Sequence, residues 1–475
     1  MLSIHLDSHT KIPLYEQIYQ EIKKRILEKE LQTGEKLPST RGLAASLGVS
    51  RNTIDTAYYQ LLAEGYIDTA PKSGFYVCDL DLYDHVPEIP APSGFSEIPA
   101  KQNKPEESQI EYDFSPFAVD LSHFPYSVWK KLSKKVLDEE KDLFLSGDPD
   151  GDLELRRAIC HYVCLSREVH CSPDQIIIGA GADYLLQMLS LLFHHIGIRE
   201  VTLENPCYRK AANIFEENQM QLHTGMLDSH GLTIPSIAPE TEVVYVTPSH
   251  QYPLGIVMPF GRRGELLNWA MQSPKRYIIE DDHDSEFRYK GKPIPALQGM
   301  DRHNRVIYLG TFSKAVAPAI RVSYLILPPE LSNAYHQALG FYSCTVSRLD
   351  QGILTRFLAE GYFEKHVNRM RKLYRSKHDL VLELLKPLVQ QGILQIRGEH
   401  AGLHLVLDLQ KNISETALIA EAEQQGIRLY GIKKHYLFPI DSASESILLG
   451  YSNLCEAHIT EGLSRLALIL LHLAA

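Results

Sequence analysis

The sequence predicts two dissimilar domains: a small helical module with a short hairpin at the N-terminus, then a large α/β domain on a mainly parallel sheet. Three observations carry this. The chain has 475 residues, more than one ordinary core holds. Residues 80–110 bring Pro87, Pro90, Pro92, Pro99 and Pro105 among acidic residues, a composition that favours an extended tether over a packed core. Beyond it, helical patterns alternate with short apolar runs of strand length. The expected division is 1–79, 80–110 and 111–475.

In the first segment, "PLYEQIYQEIKKRIL" sets Leu14, Ile18, Ile22 and Ile26 four apart behind Pro13, the pattern of an amphipathic helix. Ser39 is placed to cap a second helix carrying Leu43, Ala44 and Leu47, and Gly48 permits a turn. Ser50 is placed to cap a third, with Ile54, Ala57, Tyr58 and Leu61 on one face. Two short helices across a glycine turn form a helix-turn-helix, and "YIDTAPKSGFYV" adds two strands around Ser73-Gly74, a wing. The second helix of such a pair opens into the DNA major groove. Its first residues here are Ser50, Arg51, Asn52 and Thr53, which offer a guanidinium, an amide and two hydroxyls to bases and phosphates. Arg41 and Lys72 are candidates for the DNA backbone.

Charge restricts this reading. The whole chain carries −11, and residues 1–79 hold nine Lys plus Arg against ten Asp plus Glu. A general nucleic-acid coat is excluded, so DNA contact must be local. The seven cysteines are scattered and odd in number, which fits a reducing, cytoplasmic setting better than a disulfide framework. Cys160, Cys164 and Cys171 with His161 and His170 lack a paired C-x2-C, and no metal site is expected there. No run approaches the length of a membrane span.

In the large domain the strand patterns are "QIIIGA" (175–180), "EVVYVT" (242–247), "RYIIED" (276–281) and "RVIYLG" (305–310). Mainly parallel sheets place their chemistry beyond the carboxyl ends of their strands, so the residues following these runs matter most. Lys314 stands in a hydroxyl-rich turn after the last run, with Thr311, Ser313 and Arg321 as candidates for a phosphate. Asp281 closes another, a buried carboxylate suited to a pyridine nitrogen. "GAGAD" (179–183) brings Gly181 and Ala182 to a helix N-terminus, a natural anion site. Tyr208 is a candidate to stack on a ring. A lysine, an anion site, a ring-nitrogen partner and a platform are what an aldehyde cofactor needs.

Two resemblances follow from these residues. The run "LPSTRGLAASLGVSRNTIDTAYYQLLAEGY…SGFYV" resembles the GntR-type winged helix, which binds operator DNA as a dimer. The order of "GAGAD", "ENPCYRKA", "TPSHQYPLGIVMP", "EDDH" and "TFSK" resembles fold-type-I aminotransferases. Together they resemble the MocR subfamily of bacterial regulators, also called after its GabR member. The likeness implies pyridoxal phosphate as cofactor and Lys314 as its Schiff-base lysine. It implies Asp281 at the ring nitrogen, Tyr208 on the ring, and Arg321, Thr311, Ser313, Gly181 and Ala182 at the phosphate. His283 stands where the family shows tyrosine at the cofactor's phenolic oxygen, and Lys434 stands where an arginine usually holds an effector carboxylate. Arg209 is a second anion candidate.

The expected function is a homodimeric, pyridoxal-phosphate-dependent transcription regulator that binds operator DNA and senses the cofactor or a small amine or amino acid. Its aminotransferase-like domain is expected to sense rather than to turn over. The alternative is a working aminotransferase that carries a DNA-binding module.

Overall fold

The computed structural model describes residues 4, 6–7, 10, 12–70, 74–80, 110–289, 294–410, 412–438 and 445–474. Most of the expected tether, with Lys72 and Ser73 of the expected wing turn, lies outside the described residues. The chain divides into two compact units, Met1–Lys104 and Pro105–Ala475.

The first unit packs α1 (Leu14–Leu27), α2 (Thr40–Leu47) and α3 (Arg51–Ala63) beside the antiparallel pair β1 (Ile67–Ala70) and β2 (Gly74–Val77). Ile18, Ile22 and Ile26 of α1 meet Leu43 of α2 and Ile54, Ala57, Tyr58 and Leu61 of α3 in one buried cluster. The helix boundaries follow local chemistry. Ser39 Oγ accepts from the Gly42 amide (3.1 Å), and Gly48 ends α2 at φ 66°, a left-handed conformation glycine adopts without strain. The buried Tyr58 hydroxyl donates to the Pro38 carbonyl (3.0 Å), so the polar tip of a core residue is satisfied.

The second unit begins with β3 (Tyr112–Asp113) and runs through α4 (Tyr126–Glu139), α5 (Leu153–Arg167), β4 (Ile176–Gly179), α6 (Ala182–His195), β5 (Glu200–Asn205), α7 (Arg209–Glu217), β6 (Gln221–Asp228), β7 (Gly231–Leu232), β8 (Val243–Val246), α8 (Phe260–Met271), β9 (Tyr277–Asp282), α9 (Leu297–Met300), β10 (Val306–Thr311) and β11 (Ser323–Ile326). The sheet order is β4-β11-β10-β9-β8-β5-β6-β7. Neighbours from β10 through β6 are parallel, while β11 runs antiparallel between β10 and β4. Both faces are apolar because alternate residues point to opposite covers. Ile177, Leu325, Ile307 and Ile279 pack with α6 and α7, whereas Ile178, Tyr324 and Tyr308 pack with α4 and α5.

The remainder comprises α10 (Pro329–Leu339), α11 (Arg348–Ala359), the long α12 (Tyr362–Gln390), β12 (Leu394–Arg397), β13 (His404–Leu409), α13 (Glu415–Gln424), β14 (Ile427–Arg428), β15 (Tyr430–Gly431), β16 (Ser446–Gly450) and α14 (Glu456–Ala474). Strands β12-β13-β16-β15 make a smaller antiparallel sheet, and β3 pairs with β14. The mainly parallel sheet with a smaller α+β part matches the fold class read from the sequence. Asp281 pairs with Leu309 in the register of β9 and β10, so the carboxylate and the turn bearing Lys314 meet at one edge.

Candidate functional site

In the first unit, the start of α3 is built by its own cap. Ser50 Oγ accepts from the Thr53 amide (3.2 Å) and lies 2.8 Å from Thr53 Oγ1. The cap expected of Ser50 is thus present, and it ties both hydroxyls expected at the DNA face to the helix start, because the cap satisfies an otherwise orphaned amide. Arg51 and Asn52 are exposed beside them, and Arg51 Nε lies 3.3 Å from Asp55 Oδ2 one turn on. Arg41 is exposed on α2.

In the second unit, a cavity opens where β9 and β10 end. Lys314 is half-buried in it, donating from Nζ to the Pro116 carbonyl (2.8 Å), with the Phe117 ring centroid 5.7 Å away. Burial pulls the amine pKa down to about 8, against the opposing field of Asp284. Asp281 is buried and accepts from the Tyr245 hydroxyl. Burial raises its pKa, while His283 and Tyr245 work the other way. Strand β9 extends one residue past the expected end, to Asp282. That carboxylate accepts from Arg167 Nε (2.8 Å), Tyr308 Oη (2.5 Å) and Ser285 Oγ (2.9 Å) and fastens the strand end to α5.

At the other end of the cavity, Thr311 Oγ1 accepts from the Ser313 amide (3.2 Å) and from Ser323 Oγ (2.9 Å). The exposed Arg321 points Nη2 at the Ala180 carbonyl (3.3 Å) and Asp183 Oδ2 (3.1 Å). Lys210 shares that carboxylate oxygen at 2.6 Å. Ala182 opens α6 and lines the cavity, and Gly181 before it holds φ 95°. A Cβ on Gly181 would lie 2.2 Å from Arg321 Nη2, so the turn and the guanidinium are fitted together. Tyr208 lines one wall, edge-on to Tyr252 at 5.9 Å.

The structure therefore brings Lys314, Asp281, His283, Tyr208, Ala182, Thr311, Ser313 and Arg321 to one cavity, with Gly181 behind Arg321. Arg209 and Lys434 do not join its lining. Arg209 donates to the Tyr436 carbonyl (3.1 Å), and Lys434 stands 4.8 Å over the Tyr430 ring, local partners that hold each cation elsewhere. Sequence reasoning missed Phe117, Asp183, Lys210 and His404, all in the lining, and Tyr245 behind Asp281. Asp183 and Lys210 carried a usable signal, as members of the quoted "GAGAD" and "ENPCYRKA".

Comparisons with known proteins match each unit separately. Residues 14–77 match the family of bacterial regulatory proteins, gntR family, and residues 117–446 match aminotransferase class I and II. An uncharacterized HTH-type transcriptional regulator, YdeL, of Bacillus subtilis is 41% identical over 96% of each chain. The probable rhizopine catabolism regulatory protein MocR of Rhizobium meliloti is 31% identical over 97% of this chain and 94% of its own. The pyridoxine biosynthesis regulator PdxR of Corynebacterium glutamicum is 31% identical over 86% and 85%. Among solved structures, a multiple substrate aminotransferase from Thermococcus profundus superposes with TM-score 0.70 at 23% identity, covering 78% of this chain and 93% of its own, and so shares the fold. Among the described residues, no helix is long and apolar enough to cross a membrane.

Proposed function

Because the chain belongs to the MocR-type regulators, in which a GntR winged helix is joined to an aminotransferase class I and II domain, we propose that the pyridoxal phosphate this domain binds is itself the regulatory signal. The protein is a DNA-binding transcription regulator; the proposal concerns what it senses and how.

The residues present fit the cofactor. Gly181 leaves room only for the Arg321 guanidinium, Asp281 is a buried acid at a strand end, and Lys314 has an amine of lowered basicity. When bound, the cofactor supplies an aldehyde for an amine and a ring that draws electrons. In our reading Arg321, Thr311, Ser313, Ala182 and the Gly181 turn hold the phosphate, and Tyr208 flanks the ring. Asp281, kept in place by Tyr245, would hold a proton at the ring nitrogen, and His283 would serve the phenolic oxygen. Lys314, its basicity lowered by burial and its amine held by the Pro116 carbonyl, would be the amine that meets the aldehyde.

The observation that carries the choice of signal is the inventory of cations. The cavity lining offers Lys314, Lys210 and Arg321. One amine meets the aldehyde, and the other two sit at the phosphate end. Arg209 is bound to a carbonyl and Arg397 to Asp408 through two bonds of 2.5 and 2.6 Å. Among the described residues that line the cavity, Arg321 at the phosphate end is the one guanidinium, which leaves the carboxylate of an amino-acid effector without a bidentate partner there. The name of the 31% identical PdxR, a pyridoxine biosynthesis regulator, supports the same reading. Sensing rather than turnover follows, since transamination requires both substrates to be held in register.

The test is operator binding by the full chain on the DNA upstream of its own gene, read by footprinting with cofactor removed and restored. Protection that changes with pyridoxal phosphate alone supports the proposal. Protection that changes only when an amino acid is added sinks it, and sustained keto-acid formation would instead favour an aminotransferase. We further propose a homodimer, since paired half-sites call for paired winged helices.

A further inference from the structure

The geometry points to a divalent transition-metal site formed by His250, His283 and Asp284 at the wall of the cavity, which His283 and Asp284 line, with His283 the one residue it shares with the proposed cofactor partners. His250 follows β8, and His283 and Asp284 follow the neighbouring parallel strand β9, so adjacent strand ends supply all three. One ligand atom from each lies within 4.8 Å of the others. His250 Nδ1 is 2.9 Å from Asp284 Oδ2, and His283 Nε2 is 3.4 Å from Asp284 Oδ1.

Hydrogen bonding alone leaves this cluster incomplete. His283 Nε2 and Asp284 Oδ1 are buried and neither has a hydrogen-bond partner. Such atoms cost free energy unless something satisfies them. A cation between them satisfies both at once, with His250 exchanging its hydrogen bond for coordination. Two imidazole nitrogens and one carboxylate oxygen suit Zn²⁺ and its neighbours in the first transition row. Zinc bonds of about 2.0–2.2 Å draw the ligand atoms closer than they stand, so one side chain must move. His283 is the one free to do so: its side chain is 19% exposed, against 1% for His250 and 4% for Asp284. His250 is fixed by two glycines, since a Cβ on Gly402 would lie 2.0 Å from its Cε1 and one on Gly255 would lie 3.3 Å from its Nε2.

The ion and the cofactor then compete for His283, because the imidazole that turns to the metal leaves the cavity wall. Metal occupancy would weaken pyridoxal phosphate binding. This last consequence rests on the cofactor reading; the site itself does not.

The experiment uses full-length, cofactor-free, chelator-treated protein titrated with Co²⁺ and followed by its visible ligand-field absorption. The expected result is a saturable band at one Co²⁺ per chain that Zn²⁺ displaces, with affinity at least tenfold lower in both H283Y and H250N. Circular dichroism of each variant checks that it is folded, and C160S/C171S is carried alongside. The inference is overturned if the wild type shows no saturable band, if folded H283Y and H250N bind like the wild type, or if the band disappears in C160S/C171S instead. Since no pyridoxal phosphate is present, failure here leaves the cofactor proposal standing, and failure of that proposal leaves this result standing.

Discussion

Gly181 and Arg321 are complementary: the bare Cα of the one occupies the space that lets the guanidinium of the other lie against the start of α6, where a Cβ would come within 2.2 Å of Nη2. At φ 95° an alanine is also strained, at a cost of about 1 kcal/mol. G181A should therefore weaken pyridoxal phosphate binding by about tenfold or more, equivalent to roughly 1.4 kcal/mol, by displacing Arg321. Binding of pyridoxal, which has no phosphate, should change little. Equilibrium titrations of both compounds by absorbance check this; an equal loss for both would place the damage elsewhere in the cavity.

The Lys314 amine makes a pH prediction whose sign is fixed by the direction of its shift. The folded value, about 8, lies below the ordinary 10.5 because burial disfavours the charge. Capture of the aldehyde needs the neutral amine, so its rate should climb through pH 8 and level above it. The unfolded chain binds more protons between pH 8 and 10.5, so the Lys314 contribution raises stability across that window, and its penalty is fully present below pH 8. K314M should abolish the saturable visible band given by pyridoxal phosphate and remove this stability slope, as shown by urea unfolding at several pH values.

Arg167 and Asp282 form an ion pair of 2.8 Å with both side chains buried. Removing one partner strands the other, and R167M should lower stability by about 3–5 kcal/mol. Because the pair fastens the end of β9 beside Asp281, the same variant should also weaken cofactor binding. Denaturant midpoints and cofactor titration measure the two effects separately.

In the DNA-reading unit, reading and folding can be dissociated. R51A removes an exposed guanidinium and should reduce operator affinity by about 1–3 kcal/mol with little effect on stability. S50A removes the cap of α3 and should cost about 1 kcal/mol of folding stability. Operator anisotropy and thermal unfolding of both variants test the assignment.

Much of the fold was legible because its signals are local. The four apolar runs followed by functional turns all appear as strands, and the Ser39, Gly48 and Ser50 punctuation matches the helix ends. Asp281 and Lys314 were legible for the same reason, Asp281 lying within β9 and Lys314 three residues past β10, while Arg321 stands two residues before β11. What stayed hidden depends on pairing over long separations. His404 reaches the cavity from the start of β13, and Tyr245 reaches Asp281 across the strand pair β8–β9, neither distinguishable from a core residue in sequence. Ser50 is legible as the cap of α3, but that its hydroxyl also meets Thr53 Oγ1 depends on side-chain rotamers that the sequence does not show. Arg209 and Lys434 were placed by position along the chain, and a carbonyl and an aromatic ring nearby decide where they point.

The hydrogen bond from Lys314 to the Pro116 carbonyl has a consequence for wiring. Pro116 stands three residues beyond β3, so the backbone that is paired with β14 meets the reactive amine a few residues later. Chemistry at the amine and the pairing of β3 thus act on one short stretch of backbone. A disturbance passes between them along a few bonds, with no need to cross the large sheet or its helices.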